Sequence, residues 1–229
     1  MLAWLDRGDP FPPLERALKS PNGLLAAGAD LSVERLLEAY RRGVFPWFSS
    51  GQPPLWWSPD PRMVLYCAEL KVSRSLAKSL RNRGYELRID SAFAEVLEGC
   101  AFRPEGTWLG ADMKQAYLRL HREGHAHSFE TWRGGELVGG LYGVALGRMF
   151  YGESMFSRGT DASKVALVHL VSFLQRLGFP LIDCQMHTAL LESLGAREIR
   201  RAEFLRALAS LVNYPQPPTK WNMTTQRTA

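Results

Sequence analysis

The chain has 229 residues, 46% of them hydrophobic, and 28 Lys and Arg against 23 Asp and Glu give a net charge of +5. That is enough for one large domain or two small ones with a real core, and the mild basicity is compatible with a polyanionic partner without requiring one. Cys67, Cys100 and Cys184 are scattered and form no CxxC pair, no apolar run reaches the ~20 residues of a membrane helix, and the start lacks a leader pattern, which together argue against a disulfide framework, a zinc knuckle, a membrane span and secretion.

Residues 1–30 carry turn signals at Pro12-Pro13 and Pro21-Asn22-Gly23. The spacing predicts a helix over 31–42, with Ser32 as N-cap, Leu36, Leu37 and Tyr40 as its apolar stripe, Arg35 and Arg42 facing out, and Gly43 as its stop. Trp47, Trp56 and Trp57 follow in prolyl segments that exclude regular helix and inner strand. Trp56 and Trp57 read as the staple of a packed loop. Trp47 stands just past the helix end, where an aromatic face can stay open for stacking.

Strand character returns over 63–70. Residues 71–88 then hold Lys71, Arg74, Lys78, Arg81, Arg83 and Arg88, with Glu86 the only acid. Arg74, Lys78 and Arg81 share one helical face, which is either simply solvated or a surface that tracks phosphates. Helices are expected over 91–100 and 111–122, the second carrying Tyr117. Gly124 ends it and separates His121 from His125 and His127, which argues against a metal site. A strand over 128–133 turns at Gly134-Gly135.

The stretch 137–174 organises the rest. It reads as a strand, a bend at Gly147, a second strand through Met149, Phe150 and Tyr151, a polar break over 152–158, and a long apolar helix over 163–176 capped from within 161–163. Gly139, Gly140, Gly143, Gly147 and Gly152 would weaken strands unless something comes close. Glu153 sits among large apolar residues, where an unpaired carboxylate is costly. A hairpin opening on a lined cavity, with one acid at its mouth, accounts for both. After Gly178, a buried strand over 179–184 leads to Asp183-Cys184-Gln185. The SLGA turn at 193–196 precedes a basic helix over 202–211, and the prolyl tail from Pro215 wraps or frays.

Walker A, GxGxxG, nucleophile-elbow and HExxH patterns are absent from the sequence. The remaining strand–strand–helix–strand order is similar to the acetyltransferase superfamily, whose strands splay to admit an acyl donor. Those enzymes hold coenzyme A at a glycine-rich turn opening the central helix. Here that turn reads RGTDAS (158–163), with Asp161 where a pyrophosphate would sit.

A more specific resemblance runs along almost the whole chain. PNGLLAAGADLSVERLLEAYRRGVFPW (21–47), WWSPDPR (56–62), GTW (106–108), GHAHSFE (124–130), LVGGLYGV (137–144), YGESMFSR (151–158), ASK (162–164) and DCQ (183–185) resemble, in order, the bacterial leucyl/phenylalanyl-tRNA–protein transferases. The resemblance implies an α+β chain, with a small N-terminal α/β domain over 1–62 and an acetyltransferase-like (GNAT-type) mixed-sheet domain over 63–229. It implies a cytoplasmic, monomeric enzyme with no cofactor, metal or membrane. That enzyme moves Leu or Phe, with Met a further candidate, from aminoacyl-tRNA to proteins beginning with Arg or Lys, creating a degradation signal.

The same resemblance assigns residues. Asp183 and Gln185 act at the reacting amine, Gln185 as a hydrogen-bond acceptor and Asp183 by polarising that contact or attracting the ammonium. Glu153 faces the cationic acceptor or the donor's amino group. Leu141, Phe150, Met155, Ser157, Leu167, Leu170, Leu174 and Ile182 form the substrate pocket. Trp47, Trp108 and Tyr117 hold the terminal adenosine region, and Arg74, Lys78 and Arg81 take acceptor-stem phosphates. Taken without the family, the Leu167, Leu170 and Leu174 stripe reads as core, and Asp183 with Gln185 reads as a satisfied pair at a strand end. Leu190 stands where the family usually has a His, with His187 a candidate substitute. Two other readings remain beside this one: a coenzyme A-dependent N-acetyltransferase, and a tRNA-binding protein without catalysis.

Overall fold

The computed structural model describes residues 2–102, 106–221 and 226–227. The first part of the chain forms strands β1 (Ala3–Leu5) and β2 (Leu24–Gly28), helix α1 (Val33–Arg41), and strands β3 (Phe45–Pro46) and β4 (Leu55–Trp57). The strands make one sheet in the order β1-β2-β4-β3. Ser32 caps α1 by accepting the Arg35 amide at 3.3 Å, and Gly43 ends it with φ +74°.

Two expectations fail here. Trp56 and Trp57 lie in an inner strand, because Pro46 occupies the edge strand β3 and Pro53-Pro54 precede β4, so no ladder bond needs a proline N–H. Arg35 is only 5% exposed. It turns back over the Phe11 ring and donates to the Asp9 carbonyl at 2.7 Å, tying the N-terminal segment to α1.

The remaining elements are β5 (Arg62–Tyr66), α2 (Arg74–Asn82), β6 (Glu86–Ile89), α3 (Phe93–Ala101), α4 (Ala111–Arg122), β7 (Ala126–Arg133), β8 (Glu136–Leu146), β9 (Met149–Ser157), α5 (Ala162–Arg176), β10 (Leu181–Gln185), α6 (Ala189–Ser193), β11 (Arg197–Ile199), α7 (Arg201–Leu211) and β12 (Gln226–Arg227). Their strands form a sheet in the order β11-β5-β10-β9-β8-β7-β6-β12. Its neighbours are antiparallel except β9 and β10, so the mixed α+β architecture is the one expected. One face packs on α5 through Val165, Leu170 and Leu174, and the other on a core with residues of α1, α3, α4 and α7. The strand expected over 63–70 stops at Tyr66 and becomes a 3-10 turn over Cys67–Glu69.

The polar break expected over 152–158 is absent. β9 continues to Ser157 because β8 pairs with it throughout, from Leu146↔Met149 to Gly139↔Ser157. What interrupted the apolar pattern is one extra residue. Gly152 and Ser154 pair with Gly143 and Tyr142, leaving Glu153 unpaired as a β-bulge. The close approaches at the glycines are mostly made by the protein itself. A side chain at Gly139 would strike Ala162, and one at Gly143 would strike the Phe150 ring.

Asp161 precedes α5 but does not cap it. It takes the left-handed conformation (φ +59°), and its carboxylate accepts Ser79 Oγ at 2.8 Å and Lys164 Nζ at 2.9 Å, joining α2 to α5. The tail wraps: Trp221 is buried, stacked on His127 at 3.8 Å between centroids and packed near Phe129, Phe150, Phe173 and Phe179. Among the described residues, no helix is long and apolar enough to cross a membrane.

Candidate active site

The parallel strands β9 and β10 pair through Leu181↔Met149, Ile182↔Phe150 and Asp183↔Tyr151, and then part. Beyond that point β9 stays with β8 and β10 stays with β5, each through a bulge. The gap between them opens on a cavity of about 380 Å³. Leu141, Met155, Leu167, Leu170 and Ile182 give it apolar walls, Glu153 and Gln185 a polar end, and Trp47 and Trp108 an aromatic rim.

Both polar residues owe their aim to bulges. Glu153 is the extra residue of β9. On β10, Asp183 pairs with Val64 and Gln185 with Met63, so Cys184 is the extra residue and Gln185 takes φ +65°. Gln185 Nε2 then donates to Glu153 Oε1 at 3.1 Å across the gap. Two phenols reach Glu153 from the opposite side: Tyr40 Oη donates to Oε1 and Tyr117 Oη to Oε2, each at 2.7 Å. All three donors are neutral. Burial therefore prevails and pushes the Glu153 carboxyl up to about 7, although these hydrogen bonds pull it down. Burial likewise holds the Tyr40 and Tyr117 hydroxyls well above the usual phenol range.

Asp183 is 0% exposed and does not line the cavity. Arg62, also buried, grips both of its oxygens, Nε to Oδ1 at 2.8 Å and Nη2 to Oδ2 at 2.7 Å. The guanidinium also donates to the Gly43 carbonyl at 3.1 Å and lies between the rings of Phe45 and Phe204. Asp183 Oδ1 accepts the Gln185 amide N–H at 2.9 Å. Its geometry is therefore that of an anchor: it fixes the left-handed turn that points Gln185 at Glu153, and both its oxygens are committed. The expected role is to polarise the Gln185 contact or attract the ammonium; Asp183 touches Gln185 through the backbone amide and does not line the cavity.

The structure divides the other expected residues. Leu141, Met155, Leu167, Leu170 and Ile182 wall the cavity. Phe150 and Leu174 do not line it: they lie in the core beside it, Phe150 toward Trp221, although they share a face with Met155 and Leu170. Ser157 lies past the cavity, where its hydroxyl donates to the Gly159 carbonyl and accepts the Ser163 amide. Trp47 is 38% exposed at the rim, with Trp108. Tyr117 is fully buried, so it presents no face to a base; it holds Glu153 instead. Arg74, Lys78 and Arg81 are exposed on α2 and do not line the cavity. Leu190 is at the rim with Met186, Thr188 and Leu191, whereas His187 pairs with Glu192 at 3.2 Å.

Sequence reasoning missed Tyr40 and Arg62. Tyr40 reads as part of an apolar stripe, and an Arg after a proline carries no burial signal. Among the described residues, no group of three or more His, Cys, Asp or Glu could hold a metal ion. His127 is instead bonded to Asp90 at 2.7 Å.

A mixed sheet whose one parallel pair splays over a lined cavity defines the acetyltransferase-like class of α+β fold. Solved structures with a distant likeness include L-PGS from Bacillus licheniformis (12% identity, TM-score 0.39, covering 72% of this chain and 53% of that one). Another is a GCN5-related N-acetyltransferase-like protein from Streptococcus suis (14%, TM-score 0.36, 73% and 64%).

Sequence comparison is far closer. The model of the leucyl/phenylalanyl-tRNA protein transferase family matches residues 64–209, and that of its N-terminal domain matches 29–60. The leucyl/phenylalanyl-tRNA–protein transferase of Chromobacterium violaceum is 60% identical over 225 residues, covering 97% of each chain. That of Thiobacillus denitrificans is 64% identical over 214 residues, covering 92% of this chain and 94% of its own. The chain belongs to the leucyl/phenylalanyl-tRNA protein transferase family, and is a transferase.

Proposed function

We propose that this transferase moves Leu or Phe, and Met as a further donor residue, from aminoacyl-tRNA to the α-amino group of proteins beginning with Arg or Lys. The product is a new peptide bond and an N-terminal degradation signal, made in the cytoplasm by a monomer. The observation that carries this reading is the cavity. Its apolar walls suit a Leu or Phe side chain, and they end at a carboxylate and a carboxamide where the ester carbonyl and the incoming nitrogen would meet.

In this reading the 3′-terminal adenosine stacks on Trp47 and Trp108, whose rings flank the mouth. The cations of α2 meet the acceptor-stem phosphates. The donor ester is already activated, so holding the two reactants together supplies much of the rate. Gln185 gives its N–H to Glu153, which leaves its carbonyl oxygen to accept a hydrogen from the attacking amine. Arg62 and Asp183 hold that carboxamide in place, and Glu153 faces the cationic acceptor. The choice of Arg or Lys as first residue follows from the family resemblance.

A stable amide analogue of 3′-leucyl-adenosine tests the cavity assignment. It should compete with Leu-tRNA, and the aspartyl analogue should compete at least tenfold less well, since a charge cannot be buried against those walls. Equal competition by the two would remove the side chain from the cavity.

A further inference from the structure

We propose that Glu153 is the base of the transfer: it takes a proton from the acceptor's α-ammonium before that nitrogen attacks the aminoacyl ester. The inference rests on the reaction proposed above and deepens it.

Two carboxylates lie near the reacting end of the cavity, and only Glu153 lines it. Asp183 is locked to Arg62 through both oxygens and does not line the cavity. Glu153 lines the cavity and is held by neutral donors alone: Tyr40, Tyr117 and Gln185. An ionised carboxylate offers about four acceptor positions, and three are taken, so one remains for an N–H entering from the cavity.

The titratable groups facing it are Tyr40 on α1, Tyr117 on α4, Tyr142 on β8, and Asp183 and Cys184 on β10. Burial keeps the three phenols and the Cys184 thiol protonated, so none competes as a base. Burial also brings Glu153 to about 7. A free α-amino group titrates near 8, so the proton transfer costs only about tenfold in equilibrium.

The step balances. The ammonium gives one proton to Glu153, and its freed lone pair forms the C–N bond to the ester carbonyl carbon. As the tetrahedral intermediate collapses, the bond from that carbon to the ribose oxygen breaks, and the oxygen takes a second proton from the nitrogen. Glu153 then returns its proton to water, so each turnover releases one proton.

The test is single-turnover transfer of leucine from Leu-tRNA to an Arg-initiated peptide, with wild type, Glu153→Gln and Tyr117→Phe, from about pH 5.5 to 9.5. Wild-type transfer should fall as pH drops through about 7, where Glu153 protonates. Glu153→Gln should lower the rate about 10²- to 10³-fold, with the peptide KM changed less than about threefold. That deficit should shrink at least tenfold above pH ~8, where the amine is neutral unaided. Tyr117→Phe removes one donor from the carboxylate and should move the acid limb to higher pH, a readout that stands even if Glu153→Gln folds poorly.

A deficit equal at every pH, a KM rise with the rate kept, or an unmoved limb in Tyr117→Phe would overturn the proposal. A wild type that transfers nothing from any charged tRNA would overturn the underlying reaction and this step with it. A transferring wild type with a pH-independent deficit would overturn this step alone.

Discussion

Single charged side chains carry most of what is particular to this site. Glu153 has a folded pKa raised from 4.5 to about 7, so folding favours its protonated form. Its stabilising contribution is complete below the unfolded value and is lost as pH rises through the folded one. Glu153→Gln does not titrate. Its stability should therefore gain on wild type between pH 4.5 and 7, by roughly 2–3 kcal/mol, as read by urea denaturation. A difference independent of pH would mean that Glu153 is already well solvated. Arg62 poses the opposite case. Arg62→Met leaves Asp183 buried without a partner and should cost about 3–5 kcal/mol; a loss under about 1 kcal/mol would mean that water replaces the guanidinium.

At this scale the sequence was a partial guide. Glu153 stood out because an acid among apolar residues needs a reason, and the reason was found in Tyr40 and Tyr117. Arg35 and Arg62 were misjudged or overlooked because charge suggests a surface. Nothing local announces a carbonyl, an aromatic ring or a carboxylate arriving from a residue far along the chain.

Elements were read well where their signals are local. The end of α4 and the capped start of α1 follow from Gly124 and Ser32, and the β7–β8 turn from Gly134-Gly135. Elements fixed by neighbours were read poorly. The inner strand β4 exists because β2 and β3 flank it, and β9 passes through its polar stretch because β8 accompanies it. A bulge shifts the alternation by one residue, so Phe150 and Met155 reach the same side of the sheet despite their odd spacing. Helix α2 offers a prediction at this scale. Replacing Arg74, Lys78 and Arg81 together by Ala should leave folding intact, since all three are exposed. It should weaken tRNA binding and reduce the slope of log K against log salt by about 2–3. An unchanged slope would place the phosphates elsewhere.

The cavity is a property of the whole molecule. Pro46 comes from the first sheet and Trp47 from the loop that follows it, Leu141, Glu153, Met155 and Gln185 from the second sheet, Leu167 and Leu170 from α5, and Leu190 and Leu191 from α6. Of the apolar residues expected to line it, Phe150 and Leu174 belong to the core instead, although each shares a face with residues that do line it. No sequence pattern distinguishes the two groups before the sheet is assembled. Because the cavity is limited to about 380 Å³, Leu170→Phe should reduce kcat/KM for Phe-tRNA roughly tenfold more than for Leu-tRNA. Equal losses for the two donors would remove Leu170 from the side-chain wall.

The most direct measurement of the central claim is transfer of labelled leucine from Leu-tRNA to two peptides that differ only in their first residue, Arg or Ala. The account predicts RNase-sensitive labelling of the Arg peptide, little labelling of the Ala peptide, and loss of both with Gln185→Ala. Undiminished transfer by Gln185→Ala, or no transfer from Leu-, Phe- or Met-tRNA by the wild type, would contradict it.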